Sequence, residues 1–155
     1  MSADRFGFEL PLLLAAAFRT LIDALHDQLA ARGHPDARPI HAFALQAIGP
    51  DGATVSELGR RLGVSKQAAA KTSASLERLA YVIRQPHPTD ARALQLRRSP
   101  RGEELLSLSA EIFEQLRNSW KHQLSDKRVR TLEDDLEQVA GAAVTKLGDL
   151  PGWLR

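Results

Sequence analysis

Between Thr54 and Leu79 the sequence TVSELGRRLGVSKQAAAKTSASLERL allows little except two short helices joined by a tight turn. Thr54 and Glu57 have the spacing of a capping box. The hydroxyl accepts from the backbone N–H of Glu57, and the carboxylate reaches back to the N–H of Thr54. The helix so started runs to Leu62, with Val55, Leu58 and Leu62 turned inward. Gly63 can take the left-handed conformation that closes its last turn. Ser65 then caps a second helix, Lys66 to Leu79. Its apolar side is Ala69, Leu76 and Leu79, with small Thr72 and Ser73 between. Lys66, Gln67, Ala70, Lys71, Ala74, Ser75 and Arg78 are left outside.

From Tyr81 the period changes. YVIRQ and ALQLR alternate in polarity like short strands, and PHPTDAR joins them, its prolines keeping the tip out of helix. Ser99-Pro100 opens another helix. Two capped helices, a tight turn, a hairpin and a long helix make a winged helix-turn-helix. That arrangement seats its second helix in a DNA major groove with the hairpin beside it. Charge follows the same division. Residues 54–101 carry ten Lys/Arg and three acids, a balance of +7, whereas the rest carries eleven and sixteen, a balance of −5. A basic centre between acidic flanks points to a polyanionic partner for the centre.

The flanks read as helix. Leu14, Phe18, Leu21, Ile22, Leu25 and Leu29 fall on one face of a helix over about 9–32, stopped by Gly33-His34-Pro35. Residues 40–48 are apolar nearly all round, so a second helix there is expected to be buried. Beyond Ser99, the stripe Leu105, Leu108, Ile112, Leu116 and Trp120 predicts a helix ending near His122. Ser125-Asp126 caps a last one striped by Val129, Leu132, Leu136, Val139, Ala143 and Leu147. The apolar tail LPGWLR would be exposed on a monomer.

With 155 residues the chain fits one domain, and the absence of cysteine excludes disulfides and fits a reducing cytoplasm. The N-terminus lacks the pattern of a signal peptide. The longest apolar run, Leu10 to Phe18, falls short of the roughly 20 residues a membrane span needs, so no membrane partner is expected. No Gly-rich phosphate loop, nucleophile elbow or HExxH occurs, and the acid pairs Glu103-Glu104 and Asp134-Asp135 lie on amphipathic helices. Neither enzyme activity nor a cofactor is expected. His26, His41 and His122 could converge on a metal or a carboxylate, but isolated histidines are the favoured reading.

The stretch TVSELGRRLGVSKQAAAKTSASLERLAYVIRQPHPTDARALQLRRSPRGEEL resembles the winged-helix core of MarR-type transcriptional regulators, including an Asp-x-Arg element at the wing tip, Asp90-Ala91-Arg92. The order of helices around it is also that of the family. The resemblance implies a mainly α fold, with a winged helix-turn-helix and its small β-hairpin wing flanked by N- and C-terminal dimerisation helices. It implies a single domain over 1–155, the DNA-binding part at 40–101 and the dimerisation part at 1–35 and 102–155. A homodimer would place its two recognition helices in successive major grooves of a pseudo-palindromic operator. Repression would be relieved by a small lipophilic, aromatic or phenolic ligand held between the two parts, with Phe18, His26, His41, Phe43 and Trp120 as candidate contacts.

Three positions depart from the family pattern. Ala80 stands where glycine usually ends the recognition helix; a left-handed conformation there would cost alanine ~1 kcal/mol, and a helix that ends differently is the favoured reading. Ala68-Ala69-Ala70 replaces hydroxyl residues, favouring contact with thymine methyls over hydrogen bonds. Arg98 replaces an aliphatic residue before the Ser99 cap.

The expected DNA contacts follow. Ser65, Lys66, Gln67, Ala70, Lys71 and Ser75 face the groove. Gln67 suits adenine, and Lys71 suits guanine or a phosphate. N–H groups near Thr54 and Ser65 suit phosphates, as do the side chains of Arg60 and Arg61. At the wing are Arg84, His87, Asp90 and Arg92. Arg92 enters the minor groove, and Asp90 holds it extended through a charge-assisted hydrogen bond. The alternative is a dimeric winged-helix module, weak or unselective on DNA, that acts through a protein partner.

Overall fold

A computed structural model describes residues 6–141. Both central helix starts form as their residues dictate. Thr54 Oγ1 accepts from Glu57 N–H (3.2 Å), and the Glu57 carboxylate accepts from Thr54 N–H (2.8 Å). Ser65 Oγ accepts from Ala68 N–H (3.1 Å), and Gly63 between the two helices is left-handed (φ 68°). The described elements are α1 (Glu9–Ala31), α2 (Pro39–Ile48), α3 (Val55–Leu62), α4 (Lys66–Arg78), β1 (Val82–Pro86), β2 (Leu94–Arg98), α5 (Pro100–Leu124) and α6 (Asp126–Ala140). β1 and β2 pair antiparallel from Val82↔Arg98 to Pro86↔Leu94. Ala53 adds a bridge to Leu96, tying the α2–α3 loop to the wing. The chain therefore has the mainly α, winged helix-turn-helix fold. Among the described residues no helix is long and apolar enough to cross a membrane.

The core lies where α2, α3 and α4 meet α5 and the base of the wing. Leu45, Ile48, Leu58, Leu76, Tyr81, Leu96, Leu105 and Ile112 are fully buried there. Tyr81 belongs to this core and not to a strand, so both strands start one residue later than their polarity suggested. Its hydroxyl meets His34 Nδ1 at 3.0 Å, and its carbonyl accepts from Ser99 N–H. Gly102, in the first turn of α5, crosses directly over that carbonyl. A Cβ there would lie 2.2 Å from Tyr81 O, so only glycine fits.

The end of α4 corrects the expectation for Ala80. Its φ of 61° puts it in the left-handed region, where glycine is usual. Ala80 N–H bonds the Glu77 carbonyl and Tyr81 N–H the Leu76 carbonyl, so the ordinary helix-ending motif forms despite the Cβ. The Ser99 hydroxyl donates to the Ala80 carbonyl (2.6 Å), holding the strained residue in place.

Three arginines cap helix ends through the tertiary fold. Arg61 Nη1 donates to the Ala47 and Ile48 carbonyls (2.8 and 3.1 Å), and Arg98 Nε to the Leu45 carbonyl (2.8 Å), all at the end of α2. Arg101 donates to the Leu79 and Gly33 carbonyls (3.3 and 2.9 Å) and lies over the Tyr81 ring. Cations at helix C-termini satisfy orphan carbonyls and complement the helix dipole. The unusual Arg98 has its reason here.

The outer helices bury only part of their stripes. α1 buries Ile22, Leu25 and Leu29, but Leu14 is 45% exposed, against the inward position its spacing predicted. Phe6, Phe8, Leu10, Leu12 and Leu13 are exposed beside it. On α6 only Val129 is buried, and Leu136 and Val139 are exposed. α5 runs two residues past His122. Ala143, Leu147 and the LPGWLR tail lie outside the described residues.

Candidate nucleic-acid interface

The outer side of α4 is set by its anchors. Ala69, Thr72, Ser73 and Leu76 are buried, which leaves Lys66, Gln67, Ala70, Lys71 and Ala74 exposed at helical spacing. Two cations and one amide therefore share a face with short alanines. That face can approach a backbone or groove closely but offers few hydrogen-bonding groups. Thr54 is half-buried at the start of α3, and Arg60 is exposed on it.

Three expected contacts are turned elsewhere. Ser75 is half-buried, and its hydroxyl meets His41 Nε2 at 3.0 Å. Arg61 caps α2, as described above. Arg84 Nε donates to Glu77 Oε1 (2.5 Å), linking β1 to α4. Arg97 and Arg101 likewise spend donors on carbonyls of the fold. The +7 of the centre is thus partly structural, and Arg60, Lys66, Lys71, Arg78 and Arg92 are the cations it leaves exposed.

The wing tip is ordered by its own polar groups. Asp90 Oδ1 accepts from the main-chain N–H of Arg92 (3.0 Å), an Asx-type turn. The carboxylate thus holds Arg92 by a charge-assisted hydrogen bond to its main chain and fixes the loop backbone. His87 N–H bonds the Ala93 carbonyl, and His87 Nδ1 accepts from Thr89 N–H (3.2 Å). Arg92 projects from a preformed loop.

Flanking that face of α4 lies an open cavity of about 980 Å³, between α1, the 33–38 connector, α2 and α4. His26 and His41 line it, whereas Phe18, Phe43 and Trp120, all half-buried, do not, so the five expected ligand contacts are not gathered in one place. Arg38, Lys71 and Arg78 also line the cavity, with Asp23 and Asp36 opposite in charge. Sequence reading missed Arg38 and Arg78 as cavity residues, since nothing in their local pattern marks a tertiary crevice. Among the described residues, His26 Nε2 is buried without a hydrogen-bond partner. Burial lowers the His26 pKa below the usual imidazole range, with Asp23 opposing. Burial also pushes His41 down to about 4, helped by Arg38, Arg78 and His26. His122 is exposed near the end of α5 and does not line this cavity. Among the described residues no group of three His, Cys, Asp or Glu is placed to hold a metal ion.

The profile of the MarR family matches residues 38–93, which are α2 through the wing tip. The HTH-type transcriptional regulator BilQ of Clostridioides difficile (strain CD3) is 30% identical over 86 residues, 56% of this chain. The match spans 58% of that relative's length. Among solved structures, Rv1404 of Mycobacterium tuberculosis superposes with a TM-score of 0.71 at 20% identity, covering 93% of this chain and 99% of the other. Streptococcus pneumoniae FabT in complex with DNA gives 0.70 at 16%, covering 84% and 92%. Both are similar to this chain in fold.

Proposed function

We propose that this chain, whose residues 38–93 match the profile of the MarR family, is a transcriptional regulator of that family binding duplex DNA as a homodimer. The observation that carries the reading is the exposed face of α4, with Lys66, Gln67 and Lys71, together with a wing tip locked to present Arg92. α4 enters the major groove, where Gln67 reads adenine and Lys71 reads guanine or a phosphate, and Arg92 enters the adjacent minor groove. The N-termini of α3 and α4 and the Arg60 side chain hold phosphates. Residues 40–101 form the DNA-binding part of the single domain, and 1–35 with 102–155 the dimerisation part. The exposed apolar first half of α1, with Leu136 and Val139 of α6, supports the pairing. Such a face needs cover, and a second copy supplies it.

The chain acts in the cytoplasm on DNA, as a regulator and not an enzyme. It represses by occupying a promoter and is released by a small lipophilic or aromatic ligand. The cavity between α1, α2 and α4 supports a ligand site beside the reading helix, with Arg38, Lys71 and Arg78 suited to an anionic group. One observation favours the second reading, a winged-helix dimer with little sequence preference. Ala68, Ala70 and Ala74 occupy the groove side of α4, and the Ser75 hydroxyl is turned away.

Selection from a random duplex library separates the two. The first reading expects an enriched inverted repeat, and Gln67→Ala should relax the consensus at one position per half-site. Retention of duplexes without any consensus contradicts it and leaves the second.

A further inference from the structure

We propose that His41 is the positioning residue of the DNA-reading helix, clasping α4 to the first turn of α2 through Ser75. The proposal rests on the reading of α4 as the DNA-reading helix. His41 is 3% exposed, and both of its ring nitrogens are engaged. Nδ1 lies 3.0 Å from the main-chain N of Arg38 and accepts its proton, so Nδ1 carries none. In the neutral ring the proton is then on Nε2, which donates to Ser75 Oγ at 3.0 Å. One bond fixes the tautomer and the tautomer fixes the direction of the other. The ring also lies 6.0 Å from that of Tyr81 in the core, which limits its movement.

α4 needs such a fixing point. Its buried anchors are Ala69, Thr72, Ser73 and Leu76, of which only Leu76 is large. Small anchors define depth well but resist roll about the helix axis poorly. Ser73 spends its hydroxyl within the helix, on the Ala69 carbonyl. Among the described residues, the side-chain hydrogen bonds that leave α4 are Ser75 to His41 and Glu77 to Arg84. Ser75 lies next to the exposed face, one turn from Lys71. A few degrees of roll there would tilt Gln67 and Lys71 out of the geometry a base-edge hydrogen bond needs, so the clasp acts on selectivity. His41 and Ser75 both line the cavity, so a molecule entering it meets the clasp directly.

The test uses the duplex that the wild-type chain selects, with a random duplex as control. The variants are His41→Asn, His41→Gln, Ser75→Ala and the pair His41→Asn/Ser75→Ala. Asn keeps an acceptor for Arg38 N–H but is too short for Ser75, whereas Gln carries an N–H donor near the place of Nε2. Asn and Ser75→Ala should each lose roughly three- to tenfold in affinity for the selected duplex, the size of one net hydrogen bond. Gln should retain most of the affinity, random-duplex binding should not change, and the pair should be no worse than either single variant. Multiplying losses mean that Ser75 touches DNA itself and overturn the proposal, as do equal losses on both duplexes or none on either. Melting curves check folding. If His41→Asn does not fold, Ser75→Ala still decides: an unchanged preference for the selected duplex overturns the clasp. A wild-type chain that selects no duplex overturns the DNA-binding reading and this proposal with it, whereas selection with independent losses overturns this proposal alone.

Discussion

Ala80 shows at the scale of one residue how the fold overrides a local preference. Its left-handed φ costs about 1 kcal/mol, because the Cβ crowds the following carbonyl. The position keeps this geometry because Tyr81 must turn into the core and Ser99 holds the Ala80 carbonyl. Ala80→Gly should therefore stabilise the protein by roughly 0.5 kcal/mol, the relieved strain being partly offset by the freer unfolded chain. A thermal melt should rise by about 1–2 °C, on the order of 2–4 °C per kcal/mol for a chain of this size. An unchanged or lower melting temperature contradicts the strained geometry. The cations make the same point about legibility. Thr54, Glu57, Gly63 and Ser65 were readable because capping acts over three or four residues. Arg61, Arg98 and Arg101 were not, because the carbonyls they cap come from other parts of the chain, 53 residues away for Arg98 and 68 for Arg101.

At the scale of elements, the junction of α1, α2 and α4 should be the acid-sensitive part. Burial lowers the pKa of His41 to about 4, with Arg38, Arg78 and His26 adding to the effect. His34 is lowered by burial and by Arg101, against Glu104, and His26 by burial and Arg38, against Asp23 and Asp27. The unfolded chain takes up these protons near 6.5, and the folded chain only at lower pH. Between those values the unfolded state binds more protons, so stability rises with pH there. The melting temperature should be level above pH 7 and fall as pH drops from 6.5 towards 4, and His41→Gln should make that fall shallower. A melting temperature constant from pH 6.5 to 4.5 contradicts the neutral, buried state of these rings. The element order itself was legible, since periods of 3.6 and 2 differ plainly on either side of Tyr81. The cavity was not, because its walls come from four segments whose closeness is a property of packing.

For the whole molecule, the proposed function joins the exposed apolar end of α1 and the cationic face of α4 in one design, with two copies sharing a core and presenting two α4 helices. The +7 centre overstates the charge left free for a polyanion, since Arg61, Arg84, Arg97, Arg98 and Arg101 serve the fold. Arg60, Lys66, Lys71, Arg78 and Arg92 remain exposed, and on the proposed reading Arg92 of the wing supplies part of the grip. A hydroxyl-radical footprint on the selected duplex tests this most directly. The account predicts two inverted protected blocks about one helical turn apart, each with a minor-groove flank whose protection Arg92→Ala removes. A single block, uniform protection, or flanks unchanged in Arg92→Ala would contradict it.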